Sequence, residues 1–344
     1  MEHPVKQSLN FINGSWHGKP YYSLDAYCKN IYGEKLYKVA LNAGMTCPNR
    51  DGTKGDCGCI FCSAGGSGDF AVSLKDDGDS LYTAFPEAKE AERFEAAYRQ
   101  GISVLSGKKT GRRFIAYFQA YTNTYGPIAY LEKIYRLALD APLTAGISIA
   151  TRPDCLPLPV IELLLKLKEE YPSKFIWIEL GLQTIHEATA AFIRRGYPLS
   201  CFEESVRVLH KAKIPVIVHV ILGLPGEGPK EMLSTIHYLN TLPIWGIKLQ
   251  LLHILKGTDL GLLWEKTPES CGSFSTLELY LEILINAVEH LRPDIVIHRL
   301  TGDAPKDLLL FPLWSADKRR VLNTLHKQMN RHGSYQGRYW NEAL

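Results

Sequence analysis

Nowhere in the 344 residues is there an uninterrupted apolar run approaching the roughly 18 residues that a membrane-spanning helix needs. The stretch from Met1 to Tyr22 mixes Lys, Glu, His, Gly and Pro and so lacks the apolar segment of a secretory signal. Together these absences predict a cytoplasmic protein with no membrane partner. Cysteine is scarce: 8 residues are too few to staple a chain of this length with disulfides. Several of them nonetheless crowd into one stretch, which in a reducing compartment points to metal or redox chemistry. Solenoid repeats and low-complexity linkers are also missing. With 46% of the residues hydrophobic, one large α/β domain or two smaller ones is expected.

Charge of one sign is not in excess overall, since the formal net charge is only +3. Its distribution is uneven. Between Lys306 and Trp340 stand Lys306, Lys318, Arg319, Arg320, Lys327, Arg331 and Arg338, against Asp307 and Asp317. The same tail carries Tyr335, Tyr339 and Trp340, and basic groups interleaved with aromatics suit phosphates and stacked bases. A solvated surface helix would show the same charges.

What recurs along the chain is an apolar, β-like run followed by a segment of helical spacing. The runs are Lys35–Leu41, Arg113–Phe118, Ala145–Ala150, Phe175–Leu180, Pro215–Ile221 and Gly246–Leu251. Helical spacing is read over Pro157–Tyr171, Cys201–Ala212, a Pro-started segment after Gly228, Ser275–Arg292 and Asp317–Arg331. Such alternation predicts parallel strands joined by helical crossovers. Six strands are two short of a (β/α)8 barrel, so an open, incomplete barrel or a doubly wound sheet is expected, with the active site at the carboxyl ends of the strands. Polar and glycine residues gather at those ends: Gln119-Ala120-Tyr121-Thr122, Thr151-Arg152-Pro153-Asp154, Gly181-Leu182-Gln183-Thr184, Gly223-Leu224-Pro225-Gly226-Glu227 and His253.

The first strand leads into the cysteine loop, Cys47-Pro-Asn-Arg-Asp-Gly-Thr-Lys-Gly-Asp-Cys57-Gly-Cys59-Ile-Phe-Cys62. Cys59 and Cys62 form a C-x-x-C pair, which alone is compatible with zinc, a redox dithiol or no function. If Cys57 faces away, three thiolates remain, and three thiolates on a four-iron cluster leave one iron open for a ligand. Zinc would want a fourth ligand, which Cys57 supplies only with poor geometry beside Cys59. Cys28, Cys155, Cys201 and Cys271 are scattered and read as small buried hydrophobes.

The chain resembles radical SAM enzymes of the YhcC/YtqA type, relatives of the elongator catalytic subunit and of oxygen-independent coproporphyrinogen oxidases. The resemblance runs from about Tyr32 to Gly337 and is carried by the cysteine loop, Tyr117-Phe-Gln-Ala-Tyr-Thr-Asn-Thr, Thr151-Arg-Pro-Asp-Cys, Glu179-Leu-Gly-Leu-Gln-Thr, Gly223-Leu-Pro-Gly-Glu and His298-Arg-Leu-Thr-Gly-Asp. It implies a partial (β/α)6 radical SAM barrel over residues 31–256, after an N-terminal segment 1–30 and before a helical C-terminal extension 257–344 that offers a tRNA-binding surface. It also implies that Cys47, Cys59 and Cys62 ligate a [4Fe-4S] cluster, with S-adenosylmethionine (SAM) on the fourth iron. Gln119, Ala120 and Thr122 are then expected near the methionine amine. Gln183, Arg195 and His219 are expected at the ribose or carboxylate, and Gly223, Leu224 and Pro225 at the adenine. Two departures stand out: Cys57 where the family usually has Gly, and Ala150 where some relatives carry Glu near SAM. Glu179, on an otherwise apolar strand, is the candidate catalytic carboxylate and requires a partner such as SAM or Arg195.

Ser63–Phe70 and Gly333–Gly337 look more like the YtqA branch of that family. That branch is implicated in converting the carboxymethylaminomethyl group on wobble uridine 34 of tRNA to aminomethyl, which makes tRNA the expected partner. A reductant of flavodoxin or ferredoxin type is implied as electron donor. Rival expectations are a radical SAM enzyme acting on a small-molecule or cofactor precursor, and a non-catalytic, zinc-stabilised RNA-binding protein.

Overall fold

A computed structural model describes residues 16–74, 90–105, 107, 108, 111–272 and 274–341. In chain order the described elements begin with α1 (Leu24–Tyr32), β1 (Tyr37–Asn42), β2 (Val72–Ser73), α2 (Glu90–Ser103), β3 (Phe114–Phe118), α3 (Ile128–Asp140) and β4 (Thr144–Thr151). They continue with α4 (Leu158–Glu170), β5 (Phe175–Gln183), α5 (Glu187–Phe192), α6 (Leu199–Lys211), β6 (Val216–Leu222), α7 (Pro229–Asn240) and β7 (Gly246–Leu251). The last are β8 (Ile254–Leu255), α8 (Asp259–Lys266), α9 (Leu277–His290), β9 (Val296–Arg299), β10 (Leu309–Phe311) and α10 (Lys318–His332). Eight strands form one mostly parallel sheet in the order β2-β1-β3-β4-β5-β6-β7-β9, and β8 pairs with β10 antiparallel. The expected α/β architecture is therefore present, and all six strands read from the sequence are in it.

Two compact units divide these residues, one comprising Glu34–Gly181 with Ile193–Ile217, the other Met1–Gly33, Leu182–Phe192 and Val218–Leu344. In the first, β1 pairs in parallel with β2 and β3, β3 with β4, and β4 with β5. Every residue of β3 and β4 is buried, as expected of parallel strands covered on both faces. The helices supply apolar stripes: Leu131, Ile134, Ala138 and Leu139 of α3 and Val160, Leu163, Leu164 and Leu167 of α4 are buried. Each carboxyl end is left to carry polar side chains.

In the second unit β9 extends the sheet by pairing with β7. The sequence predicts helices in this region. Its helices are present, but β9 and β10 are added, because strands of three or four residues carry too short a pattern to be read. Gln336, 1% exposed, clasps the chain end: its Oε1 accepts from Tyr22 N at 2.9 Å and its Nε2 donates to Arg292 O and Ile295 O at 2.9 and 2.8 Å. Among the described residues no helix is long and apolar enough to cross a membrane.

Candidate functional site

The cysteine loop leaves β1 as a chain of tight turns. Arg50 N and Asp51 N donate to Cys47 O at 2.8 and 3.2 Å, Gly58 N to Asn49 O at 2.7 Å, and Cys62 N to Cys59 O at 3.0 Å. Gly58 has φ 75°, a left-handed conformation that favours glycine, and a Cβ there would lie 2.9 Å from Arg50 Nε and push that side chain aside. Arg50 donates to Cys62 O and Ser63 O at 3.0 and 2.7 Å, closing the C-x-x-C end of the loop.

Two further side chains fix the thiols. Asn49, 5% exposed, donates through Nδ2 to Arg194 O at 2.7 Å and approaches Cys59 Sγ at 3.7 Å. Gly196 permits this, since a Cβ there would meet Asn49 Oδ1 at 2.6 Å. Arg152 grips Asp154 through two bonds of 2.9 Å, lies over the Tyr197 ring, and reaches to 4.0 Å from Cys47 Sγ. Lys54 ties the loop to the same carboxylate at 2.6 Å. Burial opposes ionisation of Asp154, but the hydrogen bonds from Arg152 and Lys54 outweigh it and hold the carboxyl below its ordinary range.

Burial pushes the Cys59 thiol up to about 12; Cys62 and Cys47 add to the rise, while Arg152 and Asn49 oppose it. Burial likewise raises Cys62, with Arg50 opposing. Such thiols become thiolates where a metal displaces the proton. Cys57 differs, being exposed and turned to Asp56 Oδ1 at 3.4 Å. Among the described residues no group of His, Cys, Asp or Glu converges as one metal ion requires. Sulfurs on a single tetrahedral zinc would lie about 3.8 Å apart, from a Zn–S bond near 2.3 Å. With Cys57 turned away, Cys47, Cys59 and Cys62 make a three-thiol donor set, which fits a four-iron cluster with one iron left open.

The end of β3 packs against the segment after the loop. Gly66 and Gly68 are needed there, because Cβ atoms on them would lie 2.3 Å from the Tyr121 ring and 2.4 Å from Ala120 Cβ. Gln119 Nε2 donates to Ser67 O at 2.6 Å; Ala120 and Thr122 are buried at 0% and 1% exposure. Tyr121 has φ 59° and its hydroxyl donates to Ala64 O. Asn123 donates to Phe118 O and Ala150 O at 3.1 and 3.0 Å, while its Oδ1 is buried with no partner among the described residues, an acceptor open to a bound donor.

Glu179 lies in the middle of β5 at 0% exposure, where the carboxylate accepts from Lys38 of β1 and from Ser148 Oγ of β4 at 2.5 Å. Lys38 also sits 4.8 Å from the centre of the Tyr117 ring. Neither Lys38 nor Ser148 is the partner that the sequence suggests, SAM or Arg195. Arg195 is 2% exposed and donates from Nε to Tyr197 O at 3.0 Å, so it is not a surface cation.

The remaining expected residues belong to the second unit. Gln183 adopts φ 63°, a left-handed conformation unusual for a side chain of its size. His219 is half-buried on β6, whose other residues are all buried. Gly223 and Gly226, at φ 86° and 83°, form the turn around Leu224 and Pro225, and Gly272 packs so closely that a Cβ would lie 2.6 Å from Gly223 O. Asn49, Arg50, Arg152, Asp154 and Lys38 were not singled out from the sequence. Their only signal was membership in motifs at strand ends or, for Lys38, a cation within an apolar run.

The Radical SAM superfamily model matches residues 46–239, and the Radical_SAM C-terminal domain model matches residues 244–331. YtqA of Bacillus subtilis (strain 168) is 40% identical over 322 residues, 94% of this chain and 93% of that protein. YhcC of Escherichia coli (strain K12) is 33% identical over 314 residues, 90% of this chain and 93% of that protein. A solved structure of Elp3 from Methanocaldococcus infernus superposes with TM-score 0.59 at 17% identity, over 71% of this chain and 60% of that one, and so shares the fold. With the superfamily match spanning over half the chain and YtqA alignable over nearly all of it, the protein belongs to the radical SAM superfamily, whose members use a [4Fe-4S] cluster and SAM.

Proposed function

We propose that this enzyme acts on tRNA, converting the carboxymethylaminomethyl side chain of wobble uridine 34 to aminomethyl. The observation that carries the RNA reading is a line of exposed cations on α10, within a chain of radical SAM type. A distant relative supports it: a Methanocaldococcus jannaschii protein named tRNA uridine(34) acetyltransferase is 24% identical over 193 residues, 55% of this chain and 33% of that protein. In this reading residues 31–256 hold the cofactors and 257–344 face the RNA.

Cys47, Cys59 and Cys62 are the proposed cluster ligands, with Asn49 and Arg152 donating toward two of the sulfurs. When bound, the cluster supplies the electron that cleaves SAM to methionine and a 5′-deoxyadenosyl radical, drawn in turn from a flavodoxin- or ferredoxin-type donor. Gln119, Ala120 and Thr122 are assigned to the amine of SAM, Gln183, Arg195 and His219 to its ribose or carboxylate, and Gly223, Leu224 and Pro225 to the adenine. Because Ala120 and Thr122 are buried and Gln119 is engaged by Ser67, contacts from this strand end are made largely by backbone. Glu179 is the proposed catalytic carboxylate, held in the middle of β5 by hydrogen bonds from Lys38 and Ser148.

Nucleoside analysis of tRNA from a strain lacking the gene tests the proposal. Accumulation of the carboxymethylaminomethyl nucleoside with loss of aminomethyl-derived nucleosides is expected. Unchanged nucleosides would return the substrate to small molecules.

A further inference from the structure

We propose that a groove at Trp314 receives one unpaired base of an RNA strand whose phosphates run along α10; this deepens the RNA reading above and rests on it. The groove, about 430 Å³, is lined by Lys306, Leu313, Trp314, Ala316, Asp317 and Arg320. That volume falls within the roughly 300–1,000 Å³ of small-ligand sites. Its apolar part is Leu313, 67% exposed, and the half-buried Trp314, whose indole is fixed by donating from Nε1 to Phe274 O at 3.2 Å. A rigidly held aromatic beside two cations is the combination that takes a base and its phosphate.

Arg320 belongs both to the groove and to the helix. At 3.6 residues per turn, Arg320, Lys327 and Arg331 lie within about 20° of one line along α10, with rises of about 10 and 6 Å between them. All three are exposed, and among the described residues none is in an ion pair. Two neighbouring cations are spent elsewhere: Lys318 pairs with Asp303 at 2.6 Å and Arg338 with Glu289 at 3.3 Å, while Arg319 is exposed beside the line. Asp317 caps the helix by accepting from Arg320 N at 3.0 Å, so its charge is already engaged.

The structure adds a stacking partner to those of the tail. Tyr339, 53% exposed, lies against His290 and Arg338, and Gln336 clasps the segment that contains Tyr335. Trp314 is the aromatic that shares a groove with Arg320 of the basic line. An anionic membrane would be the other taker of such charge, but Val321, Leu325 and Met329 of α10 are buried, so the helix has no apolar face to lay into a bilayer.

The test measures binding of a short fluorescein-labelled oligouridylate and of unfractionated tRNA to the full-length, cluster-reconstituted protein over a salt series. R320Q with K327Q should lower the log–log salt slope by about 1.4, at roughly 0.7 per single-strand phosphate contact. Trp314→Leu should weaken binding by roughly 5- to 150-fold with the slope unchanged, because stacking releases no counterions. Leu313→Asp, at an exposed position that does not threaten folding, should give a comparable loss, and circular dichroism confirms that each variant is folded. Wild-type affinity in L313D and W314L, or wild-type slope in the double variant, overturns the proposal, as does displacement of RNA by phosphatidylserine vesicles from wild type but not from R320Q/K327Q. Altered slopes together with unchanged tRNA nucleosides in the deletion strain would leave the groove standing and remove the wobble chemistry. Altered nucleosides with unaffected binding would do the reverse.

Discussion

Replacing Lys38 with Met isolates the buried ion pair at the centre of the sheet. Glu179 is fully buried and Lys38 is 15% exposed, so the substitution takes the paired cation from a buried carboxylate that also accepts from the Ser148 hydroxyl. Removing one member of a buried pair costs about 3–5 kcal/mol. At about 2.1 cal/mol/K per residue, 344 residues unfold with an entropy of about 0.7 kcal/mol/K. The expected drop in Tm is therefore roughly 4–7 °C. The double variant K38M/E179L removes both charges, and replacing a whole buried pair with apolar groups is often neutral, so most of the loss should return. Scanning calorimetry of wild type, both single variants and the double variant measures the coupling. A Lys38→Met loss under about 1 kcal/mol, or a double variant no better than the singles, would refute the assignment of this pair as a desolvated, mutually dependent unit.

Alanine at Cys47, Cys59 or Cys62 should abolish the brown chromophore and iron content of anaerobically reconstituted protein, whereas Cys57→Ala should retain both; iron analysis decides. Asn49→Ala removes the amide aimed at Cys59 and should lower the reduction potential of the cluster, since hydrogen bonds to cluster sulfurs favour the reduced state; EPR-monitored titration gives the sign. Burial depresses His253 to about 4, with Arg299 and Lys318 adding to the fall and Asp303 opposing it. A histidine held neutral in the fold contributes stability in full above its unfolded pKa near 6.5 and loses it as pH falls toward 4, a change of about 3 kcal/mol. Urea midpoints for wild type and His253→Gln should converge across that window.

The six strands found from sequence were legible because parallel strands buried on both faces read as continuous apolar runs, as Phe114–Phe118 and Val216–Leu222 do. Val72–Ser73 and Ile254–Leu255 were not, since two residues carry no period. The cysteine spacing marked the loop but not what holds it. Asn49 and Arg50 act on Cys59 and Cys62 only because Gly58 and Gly196 leave room for them, a relation between positions far apart in the chain. The sequence marks Glu179 as a carboxylate that needs a partner and suggests SAM or Arg195; the partner in the structure, Lys38, lies 141 positions away and no local pattern links the two. In the tail, composition located the charge. It could not separate Arg320, Lys327 and Arg331 from the paired Lys318 and Arg338, nor show that the aromatic beside them is Trp314.

The most direct test of the whole account is a single anaerobic incubation of reduced, reconstituted enzyme with SAM and tRNA bearing carboxymethylaminomethyluridine 34, followed by mass spectrometry of both nucleosides and SAM products. The account predicts aminomethyluridine appearing together with 5′-deoxyadenosine and methionine. S-adenosylhomocysteine as the sole SAM product, or 5′-deoxyadenosine formed at one rate with and without a tRNA that stays unmodified, would contradict it.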